Sequence, residues 1–208
     1  MTSANKVNHA KISSRLIEQK ETADSLAIIL PGAGYTAQAP LLHFCTGLFY
    51  SKGFDVLHLN YTFNREEQMA LSGEGLAEAV RSAIEDALKN KGYDHFYIAA
   101  KSIGTMALPY LLKDQSFLDA KAVWLTPLLQ KEFILTSMAA GSHKGLCIIG
   151  DQDPFFTWER IERIKGNPNL SIKVVEGGDH SLELSGDPIQ SIDLLKNIIS
   201  DIRQFQSF

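Results

Sequence analysis

Six short apolar runs punctuate this chain, each followed by a turn and then by a segment of helix length. They read "SLAIIL" (25–30), "DVLHLNY" (55–61), "HFYIAA" (95–100), "AVWLTP" (122–127), "GLCIIG" (145–150) and "SIKVVEG" (171–177). Runs so poor in polar residues have no face to offer water. They suit strands buried on both sides, in a mostly parallel sheet whose crossovers lay helices on each face. The intervening segments agree. Residues 39–53 have helix character, and Leu76, Val80, Ile84 and Leu88 fall at four-residue steps along one helix face. Further helices are predicted at "IGTMALPYLLKD" after the third run, across 130–140, and at "FTWERIERIK". In a long last helix, Ile189, Ile192, Leu195, Ile199 and Ile202 form an apolar stripe. Residues 7–22 are expected to add one or two antiparallel edge strands. The expected fold class is therefore α/β, with about six to seven strands, in a single domain covering 1–208. No repeat, low-complexity tract or linker interrupts it.

Composition narrows the partners. The chain of 208 residues is 45% apolar and 21% charged, ordinary for a globular domain with a sizeable core. Its net charge of −4, with no basic block to meet phosphates, argues against a nucleic-acid partner. No apolar stretch has the length that crosses a bilayer, so no membrane partner is expected. The opening "MTSANKVNHAKISSRLIEQKE" lacks the apolar segment of a secretory signal. Cys45 and Cys147 sit among apolar neighbours and read as two free core thiols of a reducing compartment, hence a cytoplasmic protein. A small-molecule substrate is the expected partner, and homodimerisation is left open.

In an open parallel sheet, ligands bind beyond the carboxyl ends of the strands. Four loops there carry chemistry. Pro31-Gly32-Ala33-Gly34-Tyr35 follows the first run, and Lys101-Ser102-Ile103-Gly104 follows the third. Gly150-Asp151-Gln152-Asp153-Pro154 follows the fifth, and Gly177-Gly178-Asp179-His180-Ser181 follows the sixth. A glycine turn, a serine, a carboxylate and a histidine on one sheet edge are what acyl transfer requires. A serine hydroxyl is a weak nucleophile until a base removes its proton, and histidine is the base suited to neutral pH. A carboxylate fixes the histidine tautomer and stabilises the imidazolium. Backbone N–H groups must face the developing oxyanion. Taken alone, Ser102 also suits a helix N-cap, where its oxygen would accept from a first-turn N–H.

Here the sequence resembles the α/β-hydrolase superfamily, from residue 25 onward. That family carries its nucleophile on a strand-to-helix turn, G-x-S-x-G, with the order Ser, then Asp or Glu, then His. In this chain the turn reads Ala100-Lys101-Ser102-Ile103-Gly104, alanine replacing the first glycine, and Ser102, Asp153 and His180 follow in the family's order. The resemblance implies Ser102 as nucleophile, His180 as base and Asp153 as acid. Asp151 shares the turn and could also reach the histidine, although relatives of this kind usually show G-x-x-D before a proline or apolar residue, as at Asp153-Pro154. Asp179 is a poor candidate, because adjacent side chains in a turn point apart. "LPGAGY" resembles the family's oxyanion loop, with Pro31 where a histidine is common. It implies the backbone N–H groups of Ala33 and Ile103 as the oxyanion hole, with Gly34 or Tyr35 as replacements.

The remaining residues read as structural. Lys101 is expected to be solvated or locally paired, since the turn aims it away from Ser102. Trp124, Trp158, Phe155 and Phe156 are expected in the core or the pocket wall. No His/Cys/Asp/Glu set has metal-ligand spacing, and "PGAG" lacks the G-x-G-x-x-G of a dinucleotide site, so neither metal nor cofactor is implied. Only residues 128–144 separate the fourth run from the fifth, room for one helix and no cap domain. The active site is then open, walled by 62–74, 128–143 and 154–158. The reading is a small lidless serine hydrolase, esterase-like or dienelactone-hydrolase-like, acting on an ester or thioester of a small or flexible acyl substrate. An acyltransferase with the same triad, or a catalytically silent binding protein on this fold, are the alternatives.

Overall fold

The computed structural model describes residues 12–89 and 91–206. Seven strands form one sheet: β1 (Ile12–Ile17), β2 (Ser25–Leu30), β3 (Asp55–Tyr61), β4 (His95–Lys101), β5 (Lys121–Leu125), β6 (Gly145–Gly150) and β7 (Leu170–Val175). Their order is β1-β3-β2-β4-β5-β6-β7. All neighbours pair in parallel except β1, which runs antiparallel along β3 from Ile12 opposite Tyr61 to Ile17 opposite Val56. The six apolar runs are thus the six parallel strands, and β1 is the edge strand expected in 7–22. Residues 7–11 of that expectation lie outside the described residues.

The continuous apolar character follows from two separate cores. Along β2, Leu26, Ile28 and Leu30 enter one cluster while Ala27 and Ile29 enter the other. In β4, Ile98 and Ala100 face the first and Tyr97 and Ala99 the second. Alternate side chains point to opposite faces of a strand, so both sets must be apolar. Fully burying each aliphatic side chain contributes roughly 1.5–3 kcal/mol. Helices α1 (Pro40–Ser51) and α7 (Pro188–Gln206) cover the second face with Leu42, Cys45, Phe49, Ile198 and Ile202. Helices α3 (Gly73–Ala87), α4 (Leu108–Leu111), α5 (Glu132–Ala140) and α6 (Trp158–Lys165) cover the first. The short α2 (Arg65–Ala70) buries no side chain and is held by a capping box between Asn64 and Glu67. Between β5 and β6 there is α5 and no cap domain, as 128–144 predicts.

Two helical expectations are corrected. The segment after β4 is not one α-helix. It winds as a 3-10 helix over Ser102–Met106 and restarts as the four-residue α4. Pro109 explains the break, because a continuous α-helix would drive its ring into the Thr105 carbonyl four residues back. In α7 the buried side is set by Ile198 and Ile202, with Leu194, Leu195 and Ile199 packed beside them. Ile189 and Ile192 from the predicted stripe are 70% and 62% exposed, and Ile192 lines a surface cleft with the loop 181–187. Cys45 and Cys147 are both buried and free. They belong to opposite faces of the sheet, so no disulfide joins them.

Candidate active site

Four loops meet at the carboxyl edge of the sheet, and close packing between them sets the geometry. Strand β4 ends at Lys101, and Ser102 turns the chain with φ 52°, a left-handed conformation rarely adopted by a side-chain-bearing residue. Such a residue costs of order 1–3 kcal/mol and persists only where its surroundings fix it. Gly104 is part of that fixation: a Cβ there would lie 2.6 Å from the Leu30 carbonyl oxygen and 2.7 Å from that of Pro31. Ala100, in place of the family's first glycine, is fully buried opposite Leu30 in the sheet, where a methyl group fits. The Thr105 hydroxyl donates to the Ser102 carbonyl at 2.6 Å, closing the turn.

The loops after β6 and β7 are pressed together even more tightly. A Cβ on Gly150 would stand 1.8 Å from the Gly178 carbonyl oxygen, which instead accepts from the Gln152 N–H at 3.0 Å. Within the first of these loops the two aspartates have separate tasks. The Asp151 carboxylate accepts from the Gly177 N–H at 2.8 Å and so ties one loop to the other. Asp153 is 3% exposed. Its Oδ1 accepts from the Phe155 N–H at 2.9 Å, and its Oδ2 lies 2.7 Å from His180 Nδ1. The opposite ring nitrogen, Nε2, is 2.8 Å from Ser102 Oγ. Phe155 meets the imidazole edge-on with centroids 5.2 Å apart, forming a wall of the site. Ser102, His180 and Asp153 are therefore in one continuous line of hydrogen bonds.

His180 owes its placement to Asp179, whose Oδ1 accepts from the N–H groups of Ser181 (2.8 Å) and Glu183 (3.0 Å). This Asx-type turn builds the loop, and the buried Leu182 pins it at φ 63°. The Asp179 carboxylate is thus turned onto backbone, away from the imidazole.

The loop after β2 approaches Ser102 through Gly32, where a Cβ would lie 3.4 Å from the serine Cβ. The Gly32 N–H is committed to the Tyr35 carbonyl at 2.9 Å. Ala33 follows it, half-buried against the core, and Ile103 is the second residue of the 3-10 helix, whose first N–H groups have no intrahelical acceptor. The Tyr61 hydroxyl, fully within the core, donates to the Pro31 carbonyl and holds this loop from below. Burial pushes the Tyr61 phenol well above its ordinary pKa, so it stays a donor.

Of the two expectations for Lys101, solvation is overturned by its burial, and local pairing is what the structure shows. Lys101 is 1% exposed, and its ammonium donates to the Thr126 hydroxyl at 2.8 Å and to the His180 backbone carbonyl at 2.6 Å. The Tyr35 ring lies beneath it at 4.7 Å. Burial lowers its pKa to about 8, partly opposed by the negative charges of Asp153, Asp179 and Glu183. Thr126 is itself held at φ 42° where β5 ends. Sequence reasoning missed Lys101, Thr105 and Tyr61 as parts of this framework. A signal existed for the first: a lysine that directly continues a fully apolar strand must bury its charge or break the run.

The family described as "Alpha/beta hydrolase domain" matches residues 23–207, nearly all of the chain, and the chain belongs to it. Among solved structures, an α/β serine hydrolase homologue from Coxiella burnetii is similar at a TM-score of 0.67 and 15% identity, covering 91% of each chain. A lidless α/β serine hydrolase from Xanthomonas campestris is similar at 0.65 and 14% identity, covering 93% of this chain and 88% of that one. A protein from Butyrivibrio proteoclasticus with ferulic acid bound reaches 0.71 at 12% identity, covering 94% of each chain. At these identities the likeness is one of fold. No curated protein matches. Among the described residues no helix is long and apolar enough to cross a membrane.

Proposed function

We propose that this protein is a single-domain, lidless serine hydrolase of the cytoplasm that cleaves an ester or thioester of a small or flexible acyl group. The observation that carries the proposal is the relay from Ser102 Oγ to His180 Nε2 at 2.8 Å and from Nδ1 to Asp153 Oδ2 at 2.7 Å. The His180 Nδ1–H donates to Asp153, which leaves Nε2 to accept the serine proton. Ser102 Oγ attacks the substrate carbonyl as that proton moves to Nε2, and the Ala33 and Ile103 N–H groups hold the oxyanion. Each such donor is worth about 2.7–4 kcal/mol in the transition state. Collapse of the intermediate expels the alcohol or thiol, which takes the proton from Nε2. Water then adds to the acyl-serine, gives its proton to the same nitrogen, and the acid leaves as Ser102 regains its hydrogen. Two buried, unbonded cysteines support the cytoplasmic setting. The likeness in fold to a lidless serine hydrolase supports an open site.

Turnover of p-nitrophenyl esters of graded chain length tests this reading. Activity is expected with short acyl chains, and Ser102→Ala should lower kcat by roughly 10^4-fold or more. Turnover that survives this substitution in the purified protein would overturn the reading.

A further inference from the structure

A groove of about 960 Å³ lies between α4 and α5, far from the triad. It reaches Gly145 and Leu170, the first residues of β6 and β7, at the sheet edge opposite the catalytic loops. Gly150 beside the acid loop is five residues up the same strand, roughly 17 Å away at about 3.3 Å per residue. Its walls are mainly apolar, with Tyr110 and Phe133 facing each other at 5.9 Å and Met138 behind them.

One donor of that wall, on a buried residue, has no partner within the protein. Trp124 is 3% exposed and lines the groove. Its indole N–H donates to no acceptor among the described residues, and its nitrogen is not one of the fully enclosed unpartnered atoms, so it opens onto the groove. Its neighbour Asn167 shows the contrast: the side-chain amide donates to the carbonyls of Met138 (2.8 Å) and Gly141 (2.9 Å) and accepts from the Asn169 N–H (2.9 Å). The approach to Trp124 Nε1 is kept clear by Gly145, where a Cβ would lie 3.6 Å from that nitrogen. At the rim, the Lys113 ammonium rests near the Tyr110 ring at 5.9 Å, and Glu132 is engaged by Arg163. The rim therefore favours an electron-rich entrant. A mostly apolar concavity with a few polar groups, the buried Trp124 among them, is the usual form of a small-molecule site.

We infer that this groove is a second binding site, which takes a flat, mostly apolar small molecule through a carbonyl-type oxygen accepting from the Trp124 indole N–H. It is separate from the Ser102 centre and does not rest on the hydrolase reading.

The test is an NMR titration of 15N-labelled Ser102→Ala protein, so that no catalytic chemistry contributes. The chain has two tryptophans, and Trp158→Phe assigns their indole signals. Acetophenone is the probe, and ethylbenzene, of the same shape without the oxygen, is the control. Acetophenone should move the Trp124 indole resonance saturably and leave that of Trp158 in place. Ethylbenzene at equal concentration should move it about tenfold less, the factor one net hydrogen bond supplies. Gly145→Ala should weaken the acetophenone response, and it is a variant that can fold, because its Cβ meets only the flexible end of Leu170 closely. A Trp124 signal unmoved by acetophenone, equal responses to both compounds, or an undiminished response in folded Gly145→Ala would each overturn the inference.

Discussion

The ammonium of Lys101 donates to the backbone carbonyl of His180 at 2.6 Å, so the residue before Ser102 holds the residue whose imidazole meets the Ser102 hydroxyl. Both partners are fixed from further sides, since the same ammonium also engages Thr126 and the Tyr35 ring. Lys101 is thus a positioning residue that joins the loops after β2, β4, β5 and β7. Lys101→Met should lower kcat on an ester substrate by about 10–100-fold while KM stays near its original value, because a misplaced base costs rate more than binding. Steady-state kinetics on the two proteins check this. A proportional rise in KM with unchanged kcat would assign Lys101 to substrate binding instead.

The same burial gives Lys101 a stability signature. Its folded pKa is lowered to about 8 from an ordinary value of 10.5, so between those values the unfolded chain binds more protons than the folded one. Stability contributed at this site therefore rises with pH across that window and is smallest below pH 8. Urea melts at pH 7.5 and 9.5 should show the wild type gaining on Lys101→Met at the higher pH. An identical difference at both would contradict the buried, partly desolvated ammonium.

The two aspartates of the acid loop should separate cleanly. Asp153→Asn removes the anion from His180 and should reduce kcat by roughly 10^3–10^4-fold, as loss of the orienting carboxylate does in such relays. Asp151→Ala removes an acceptor from the Gly177 N–H and should cost about 1 kcal/mol of stability with a kcat change under about fivefold. Comparing both variants by kinetics and by denaturant titration checks the division. The reverse pattern would make Asp151 the acid.

Much of this was readable in the sequence, for a physical reason. Strands buried on both faces are apolar throughout, so β2 to β6 stand out without any alignment, whereas β7 is an edge strand that exposes Ser171 and Lys173; a parallel sheet confines ligands to one edge. What sequence periodicity could not show was how elements are interrupted or clipped. The segment 103–114 has helical spacing, yet Pro109 divides it. Ile189 and Ile192 continue the apolar period of α7, yet both are exposed. Lys101 has a charged side chain, and only three-dimensional packing reveals two oxygens and an aromatic ring placed to receive it. The choice between Asp151 and Asp153 likewise depends on loop geometry that neighbouring positions in one turn do not encode.

Loop-to-loop packing predicts which glycines are indispensable. Gly150→Ala sets a methyl group against the Gly178 backbone at 1.8 Å, where no side chain can rotate away. It should destabilise by about 3 kcal/mol or more, at or above the upper end of ordinary overpacking. Gly34→Ala, with nothing within 4 Å of its Cβ, should be nearly neutral in stability. Thermal melts of the pair check this, and equal stability would contradict the close approach of the two loops.

Tyr61 supports from below the loop after β2, which carries the proposed oxyanion donor Ala33. Tyr61→Phe leaves the buried Pro31 carbonyl without its donor and should cost about 1–3 kcal/mol of stability. It should also lower kcat about tenfold by loosening the loop that presents the Ala33 N–H. A kcat unchanged in the folded variant would detach Tyr61 from the oxyanion loop's function.

The most direct measurement is reaction of the purified protein with a fluorophosphonate, followed by mass spectrometry of the digested chain. An adduct on Ser102, abolished in Ser102→Ala and strongly slowed in His180→Ala, is the predicted result. A folded wild type that acquires no adduct, or one labelled at another serine, would contradict an activated nucleophile at the end of β4.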